Sequence, residues 1–318
     1  MAAVHTFEDL RRRAAAGSPV PVALVEADSP TGLRALAAAA DAGIAEPVLV
    51  GDGSLVRAAI RREGLDELLR ARLEHVDGAG DEDAFRVATA RRAVALARSG
   101  EVAVLLKGWL RTDQLLRAAL DRETGLGTGR LLSDVLLYED TLAGETRLVG
   151  ITDGGINPAP DPAALIQIVG NAVDVFRALG FERPRVALLS ATEAVSEAVA
   201  STVAARAVAE WAASELPAAD VDGPLALDNA LLESAAREKG IGGPVAGRAD
   251  IMVAPSIEAG NILGKGVKYL GGSITAHVVV GAAVPILIPS RVESAVDKLH
   301  SIALGVLLAR ERSSAAAH

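Results

Sequence analysis

Pro285-Ile286-Leu287-Ile288-Pro289-Ser290-Arg291-Val292-Glu293-Ser294-Ala295-Val296-Asp297 is a short aliphatic run, a proline stop and the start of an amphipathic segment. The run Pro285–Ile288 reads as a buried strand. Apolar residues at three-to-four spacing from Glu293 to Arg310 read as a helix. A strand that turns tightly into a helix is the repeating unit of an α/β fold. In this reading Ser290 and Glu293 form a Ser-x-x-Glu capping box. The first N–H groups of the helix then face whatever precedes it, a setting suited to phosphate or an oxyanion. Arg291 adds a fixed charge and a bidentate fork. Asp297 follows Ser290 after about 700° of helical turn and so returns to nearly the same face. A plain structural cap, with Asp297 and Lys298 on a solvated face, fits the same pattern, and both readings stand here.

The alternation extends outward through the chain. Strands are expected at Val20–Val25, Pro47–Val50, Val102–Leu106, Val135–Tyr138, Leu148–Thr152, Val186–Ser190, Ile251–Ala254 and His277–Val280. Helices are expected at Thr31–Ala42, Asp83–Ser99, Thr112–Arg122, Pro162–Leu179, Glu193–Leu216, Pro224–Lys239 and Glu258–Leu270. Gly43, Gly100, Gly180 and Gly240 stand where a helix end wants a left-handed residue. This pattern predicts an α/β fold with parallel sheet content.

Composition points the same way. The chain has 318 residues, enough for two domains. Half the residues are hydrophobic and only 3% are aromatic, so the core is built from Ala, Val, Leu and Ile. The net charge of −9 and the lack of a basic block argue against nucleic acid as a partner. With no cysteine, thiolate metal sites, disulfides and a cysteine nucleophile are all excluded. The longest apolar run, Val278 to Ile288, is too short to span a bilayer, and no signal core is seen, so no membrane association and a cytoplasmic location are expected. Histidines at 5, 75, 277, 300 and 318 show no metal-ligand spacing, so no metal site is expected.

Other candidate sites follow strands. Leu105-Leu106-Lys107-Gly108 ends one of them, where α/β folds place ligands. Arg111 and Arg117 come next; Arg117 either faces an anion or pairs with Asp113 or Asp121 on a helix surface. Gly125-Leu126-Gly127-Thr128-Gly129-Arg130 precedes a strand and reads as a turn rather than a dinucleotide fingerprint. Asn157 lies in the loop Thr152–Pro160, a candidate domain crossing. Asn261 and Lys265 share a helix face after Ile251–Ala254.

Six ordered segments together resemble the phosphate acetyl/butyryl transferase family, closer to its butyryltransferase branch. They are LLKG (105–108), RETGLGTGRLLSDV (122–135), ITDGGINPAPD (151–161), GPLALDNAL (223–231), ADIMVAPSIEAGNILGKGVKYLGG (249–272) and VGAAVPILIPSRVESAVDKLHSIALG (280–305). The resemblance implies a two-domain fold like that of the isocitrate/isopropylmalate dehydrogenases, with an active cleft between domains. Domain I would comprise 1–149 and 278–318, and domain II 150–277. It implies reversible acyl transfer between acyl-CoA and inorganic phosphate, with coenzyme A as a substrate and no tightly bound cofactor, in a homodimer or larger homo-oligomer. Catalytic roles would fall to Ser290, Arg291 and Asp297. Arg117, Lys107, Asn261, Asn157 and Lys265 would contact substrate. The chain departs from the pattern at Gly264, near a tyrosine of the acetyl branch, and at Gly154-Gly155. An ordinary carboxylate titrates near ~4 and a thiol near ~8.5, a mismatch for a carboxylate taking the coenzyme A proton. The competing readings are an NAD(P)-linked hydroxyacid dehydrogenase of the same fold, an acyltransferase using acyl carrier protein, and a non-catalytic CoA-binding homologue.

Overall fold

A computed structural model describes residues 2–78, 80–142 and 144–316, with the side chains of 315 and 316 excepted. His318, in the sequence reading a non-ligand, lies outside the described residues. Two compact units are present. One is Leu131–Thr275 with the N-terminal residues through Phe7; the other is Glu8–Arg130 with the return from Ala276.

The chain opens with α1 (Phe7–Ala15), then β1 (Val20–Val25), α2 (Pro30–Asp41), β2 (Ala45–Gly51), α3 (Gly53–Glu63), β3 (Arg72–His75), α4 (Glu82–Arg98), β4 (Val104–Lys107) and α5 (Thr112–Ala119). Next come β5 (Ser133–Asp140), β6 (Arg147–Thr152), α6 (Pro162–Ala178), β7 (Arg185–Leu189), α7 (Ala200–Glu215), β8 (Asp220–Leu225), the short α8 (Leu227–Leu231) and α9 (Glu233–Glu238), β9 (Ile251–Val253), α10 (Ile257–Lys265) and β10 (Thr275–Val280). The chain closes with β11 (Ile286–Leu287) and α11 (Ala295–Ala316). In the unit of Glu8–Arg130, the strands lie in the order β3-β2-β1-β4-β11-β10. They are parallel except where β10 meets β11. The other unit has the order β5-β6-β9-β7-β8, parallel from β6 onward.

Aliphatic runs become buried strands because parallel sheets are covered on both faces. Leu24, Leu105, Leu106, Ile286 and Leu287 are fully buried in the first sheet, and α11 packs against α2. In the second, Leu136, Val149, Ile151, Ala187 and Met252 form one cluster. Phe176 of α6 is buried and meets Phe181 edge-on at 5.2 Å. A side chain at Gly150 would sit 2.7 Å from the Phe176 ring, so β6 needs glycine there. Burying one such side chain stabilises the fold by about 2–3 kcal/mol.

Three expected helices are corrected. The helix expected from Glu193 begins at Ala200, because the Thr202 hydroxyl accepts from Ser196 N at 2.9 Å and is donated to carbonyls of that preceding turn. The segment expected to be helical from Pro224 first completes β8, where Leu225 pairs with Leu189, and then breaks at Leu232, which is extended. The helix expected from Glu293 begins at Ala295, and residues 290–293 form a turn. No helix among the described residues is long and apolar enough to cross a membrane.

Candidate active site

The end of β4 is set by a close backbone approach. Gly108 N donates to Val25 O at 2.8 Å, and a Cβ at 108 would lie 2.2 Å from Glu26 O. Only glycine fits, and Lys107 is thereby held at the carboxyl end of the sheet. Its side chain is buried, with Nζ 3.5 Å from Gly108 O. Burial lowers its pKa to about 8, helped by the charges of Arg291 and Lys298 and opposed by Glu293 and Glu26. Arg291 reaches the same place from the other side of the turn: its guanidinium donates to Trp109 O at 2.8 Å and is otherwise exposed.

The turn after β11 is held from within. Lys298 is buried, and its ammonium donates to Ser290 O at 3.2 Å and Glu293 O at 2.7 Å. Glu293 is also buried, 3.5 Å from His277 Nε2. The cap of α11 is Ser294 with Asp297: Asp297 Oδ2 accepts from Ser294 N at 3.0 Å and Oγ at 2.5 Å, and Ser294 Oγ accepts from Asp297 N at 3.2 Å. The capping box expected at Ser290 and Glu293 is thus displaced by four residues. The solvated face expected of Asp297 and Lys298 is corrected too, since both are buried.

A second polar centre lies in the other unit, at the end of β6. Asp153 is buried, and its carboxylate accepts from Gly155 N (2.8 Å), Ile156 N (3.0 Å), Asn157 N (3.1 Å) and Asn157 Nδ2 (2.5 Å). Burial raises its pKa to about 6, and the neighbouring Asp134 adds to this, while the hydrogen bonds oppose it. Asn157 Nδ2 also donates to Leu132 O. Asn261 Nδ2 donates to Gly154 O at 3.0 Å, which ties α10 to the same loop.

Two cavities of the same unit offer different chemistry. One of about 510 Å³, at the ends of β7 and β9, is lined by Leu165, Leu188, Val203 and Val253 and contains no cation. The other, of about 870 Å³, has arginines, but Arg185 is paired with Asp250 and Arg248 with Glu233. Neither matches the cluster of Lys107, Arg291 and Lys298 as a place for an anion.

Residues 81–306, which contain both polar centres, match the family model for phosphate acetyl/butaryl transferase. The chain belongs to the phosphate acetyl/butyryl transferase family. It is 38% identical to a phosphate acetyltransferase of Rhizobium meliloti over 97% of this chain and 95% of that protein. It is 34% identical to a phosphate butyryltransferase of Clostridium beijerinckii over 95% of this chain and 97% of that protein. Its fold matches a branched-chain phosphotransacylase from Enterococcus faecalis V583, with a TM-score of 0.78 and 30% identity over 91% of this chain and 99% of that one. A 4-hydroxythreonine-4-phosphate dehydrogenase from Burkholderia phymatum shares the fold at a TM-score of 0.55 and 17% identity, covering 92% of this chain and 98% of that one.

Within this family member the expected residues fall into distinct settings. Lys107, Ser290, Arg291 and Asp297 belong to one unit, gathered around the turn after β11. Arg117 is exposed on α5, 3.6 Å from Asp113. Asn157 donates to Leu132 O and to the Asp153 carboxylate, Asn261 donates to Gly154 O, and Lys265 is exposed one turn beyond Asn261. The sequence pattern assigns no role to Ser294, Glu26 or Asp153, and it makes Glu293 a cap and Lys298 a surface residue. Only Ser294-x-x-Asp297 carries a usable signal, because it too fits the capping-box pattern.

Among the described residues, no group of three or more His, Cys, Asp or Glu is arranged to hold a metal ion. His75 Nδ1 accepts from Gly53 N at 3.1 Å, and burial lowers the pKa of His300 to about 4.

Proposed function

We propose that this protein transfers a short acyl group, butyryl-like or acetyl, reversibly between coenzyme A and inorganic phosphate, within a two-domain architecture of the isocitrate/isopropylmalate dehydrogenase type. The observation that carries the reading is the convergence of Lys107, Arg291 and Lys298 on one strand end, in a chain of net charge −9. Such a chain attracts an oxyanion only through a local pocket of this kind.

In this reading Arg291 and Lys107 hold the phosphoryl oxygens. The thiol gives its proton to water, the sulfur–carbonyl bond forms, and the carbonyl–phosphate bond breaks, with phosphate leaving on the electron pair. The Ser290 hydroxyl serves the tetrahedral oxyanion. The same cations favour a thiolate over a thiol, which lightens the demand on any base. Asp297 completes the site by holding the Ser290-to-Ser294 turn through its contacts with Ser294 and by orienting the thiol proton.

The test is phosphate-dependent release of coenzyme A from acetyl-, propionyl-, butyryl- and branched acyl-CoA. The expected outcome is release with at least one of them that requires phosphate. No release with any of the four defeats the proposal.

A further inference from the structure

Glu26 is the residue directly after β1, where Val25 pairs with Lys107 of β4. Its side chain is 6% exposed. One oxygen, Oε1, accepts from Arg86 Nε at 3.1 Å. The other, Oε2, is buried and has no hydrogen-bond partner. A buried carboxylate oxygen left without a donor costs free energy. The backbone is unusual as well: φ is 58°, the only positive value at a non-glycine among the described residues. Such outliers gather where a side chain must be aimed. The carbonyl of Glu26 lies against Gly108, and its charge acts on Lys107. Glu26 therefore borders the cation cluster with one acceptor open.

We infer that Glu26 accepts a hydrogen bond from a protonated oxygen of bound inorganic phosphate, and so makes the anion site reject oxyanions that carry no proton. The inference rests on the phosphate reading above. Cations alone would take phosphate and sulfate alike. A carboxylate facing an anion repels it unless a proton lies between them. Phosphate keeps at least one proton near neutral pH, and sulfate keeps none. Asp28 and Glu82 add negative charge around Glu26, and Arg86 offsets it, so the discrimination belongs to the open oxygen rather than to the net charge of the neighbourhood.

The experiment is calorimetric titration of the full-length protein with inorganic phosphate and with sulfate, at pH 7 and constant ionic strength. The expected result is phosphate binding at least about tenfold tighter than sulfate, the scale of one charge-assisted hydrogen bond. Glu26→Gln should bring the two within about threefold, and Glu26→Asp should keep the preference. Sulfate binding within about threefold of phosphate in the unaltered protein overturns the inference, as does an unchanged ratio in Glu26→Gln. If Glu26→Gln does not fold, judged by circular dichroism, the unaltered protein and Glu26→Asp decide. A Glu26→Gln variant that keeps the ratio but raises KM for acyl-CoA also overturns it, because the open oxygen then serves a donor on coenzyme A. An unselective protein that still releases coenzyme A with phosphate loses only the inference. A selective protein that releases none loses only the acyltransfer reading.

Discussion

The turn at Lys107 and Arg291 and the loop at Asp153 both bury charge at the carboxyl end of a strand, but by opposite means. Asp153 satisfies itself locally: three backbone amides and one side-chain amide within four residues close around its carboxylate. The basic turn is assembled over long range. Lys107 comes from β4, Arg291 and Lys298 from either side of the α11 cap, and the guanidinium of Arg291 stays exposed. A self-satisfied carboxylate has little left to offer a ligand. An exposed guanidinium backed by two buried ammonium groups has a great deal. Burial moves both titrations toward neutrality from opposite sides, Lys107 down to about 8 and Asp153 up to about 6.

The sharpest way to break this contrast is at Arg291. Arg291→Ala should lower kcat/KM for phosphate-dependent coenzyme A release by about 10³-fold, the scale of losing a charged transition-state contact. Arg291→Lys should recover only part, because the charge returns without the fork. A loss under about tenfold would move the anion site elsewhere.

Lys107 comes next. Its ammonium form is lost as pH rises through about 8. The value of kcat/KM for phosphate should fall by about tenfold per pH unit above that point, since this ratio reports the free enzyme. Lys107→Arg should flatten the alkaline limb, and Lys107→Met should cost about 10²-fold at pH 7. Stability runs the other way. The folded pKa lies below the ordinary 10.5, so the unfolded chain holds more protons between about 8 and 10.5, and stability rises with pH through that window.

The acidic loop should give a milder and opposite signature. Asp153 has a folded pKa above its ordinary 3.8, so the native state holds more protons between there and about 6, and stability falls as pH rises through that range. Asp134→Asn should lower the Asp153 midpoint, read by carboxyl carbon NMR, because it removes a like charge. KM for phosphate should stay within about twofold in that variant, as expected of a loop that holds no anion. A larger change would erase the contrast between the two regions.

The sequence made some of this legible and hid the rest for physical reasons. The strands β1, β2, β4, β6 and β7 are aliphatic runs, which burial on both faces demands. β3 (Arg72–His75) is polar because it lies at the edge of its sheet, and so carries no such signal. α3 is hidden by its arginines, although Asp52 caps it through Ser54 N and Leu55 N. Ser290, Arg291 and Asp297 are legible as one segment. Their helical register is not, because Ser290-x-x-Glu293 and Ser294-x-x-Asp297 fit the same pattern. The decision rests with the Lys298 ammonium, which takes the Ser290 and Glu293 carbonyls and holds residues 290–293 as a turn. Glu26 and Asp153 owe their character to burial against distant chain, which no local motif encodes.

A pair of variants separates two roles of Asp297. Its carboxylate caps α11 through Ser294, and the same group is proposed to orient the thiol proton. Ser294→Ala removes the hydroxyl from the cap and leaves the carboxylate in place. Its cost should be about 1 kcal/mol in denaturant unfolding, the usual price of a lost N-cap side chain. Coenzyme A release should fall by no more than a few-fold, on the order of what a slightly loosened turn forfeits in positioning. Asp297→Asn keeps an amide oxygen for the cap and loses the charge, and turnover should drop by about 10²-fold or more. If Asp297 were only a cap, the two variants would lose similar stability and similar activity. A gap in turnover that exceeds the gap in stability is therefore the signature of a carboxylate acting on substrate. Equal losses in both would return Asp297 to the role of a buried helix cap and leave the chemistry to Arg291, Lys107 and Ser290.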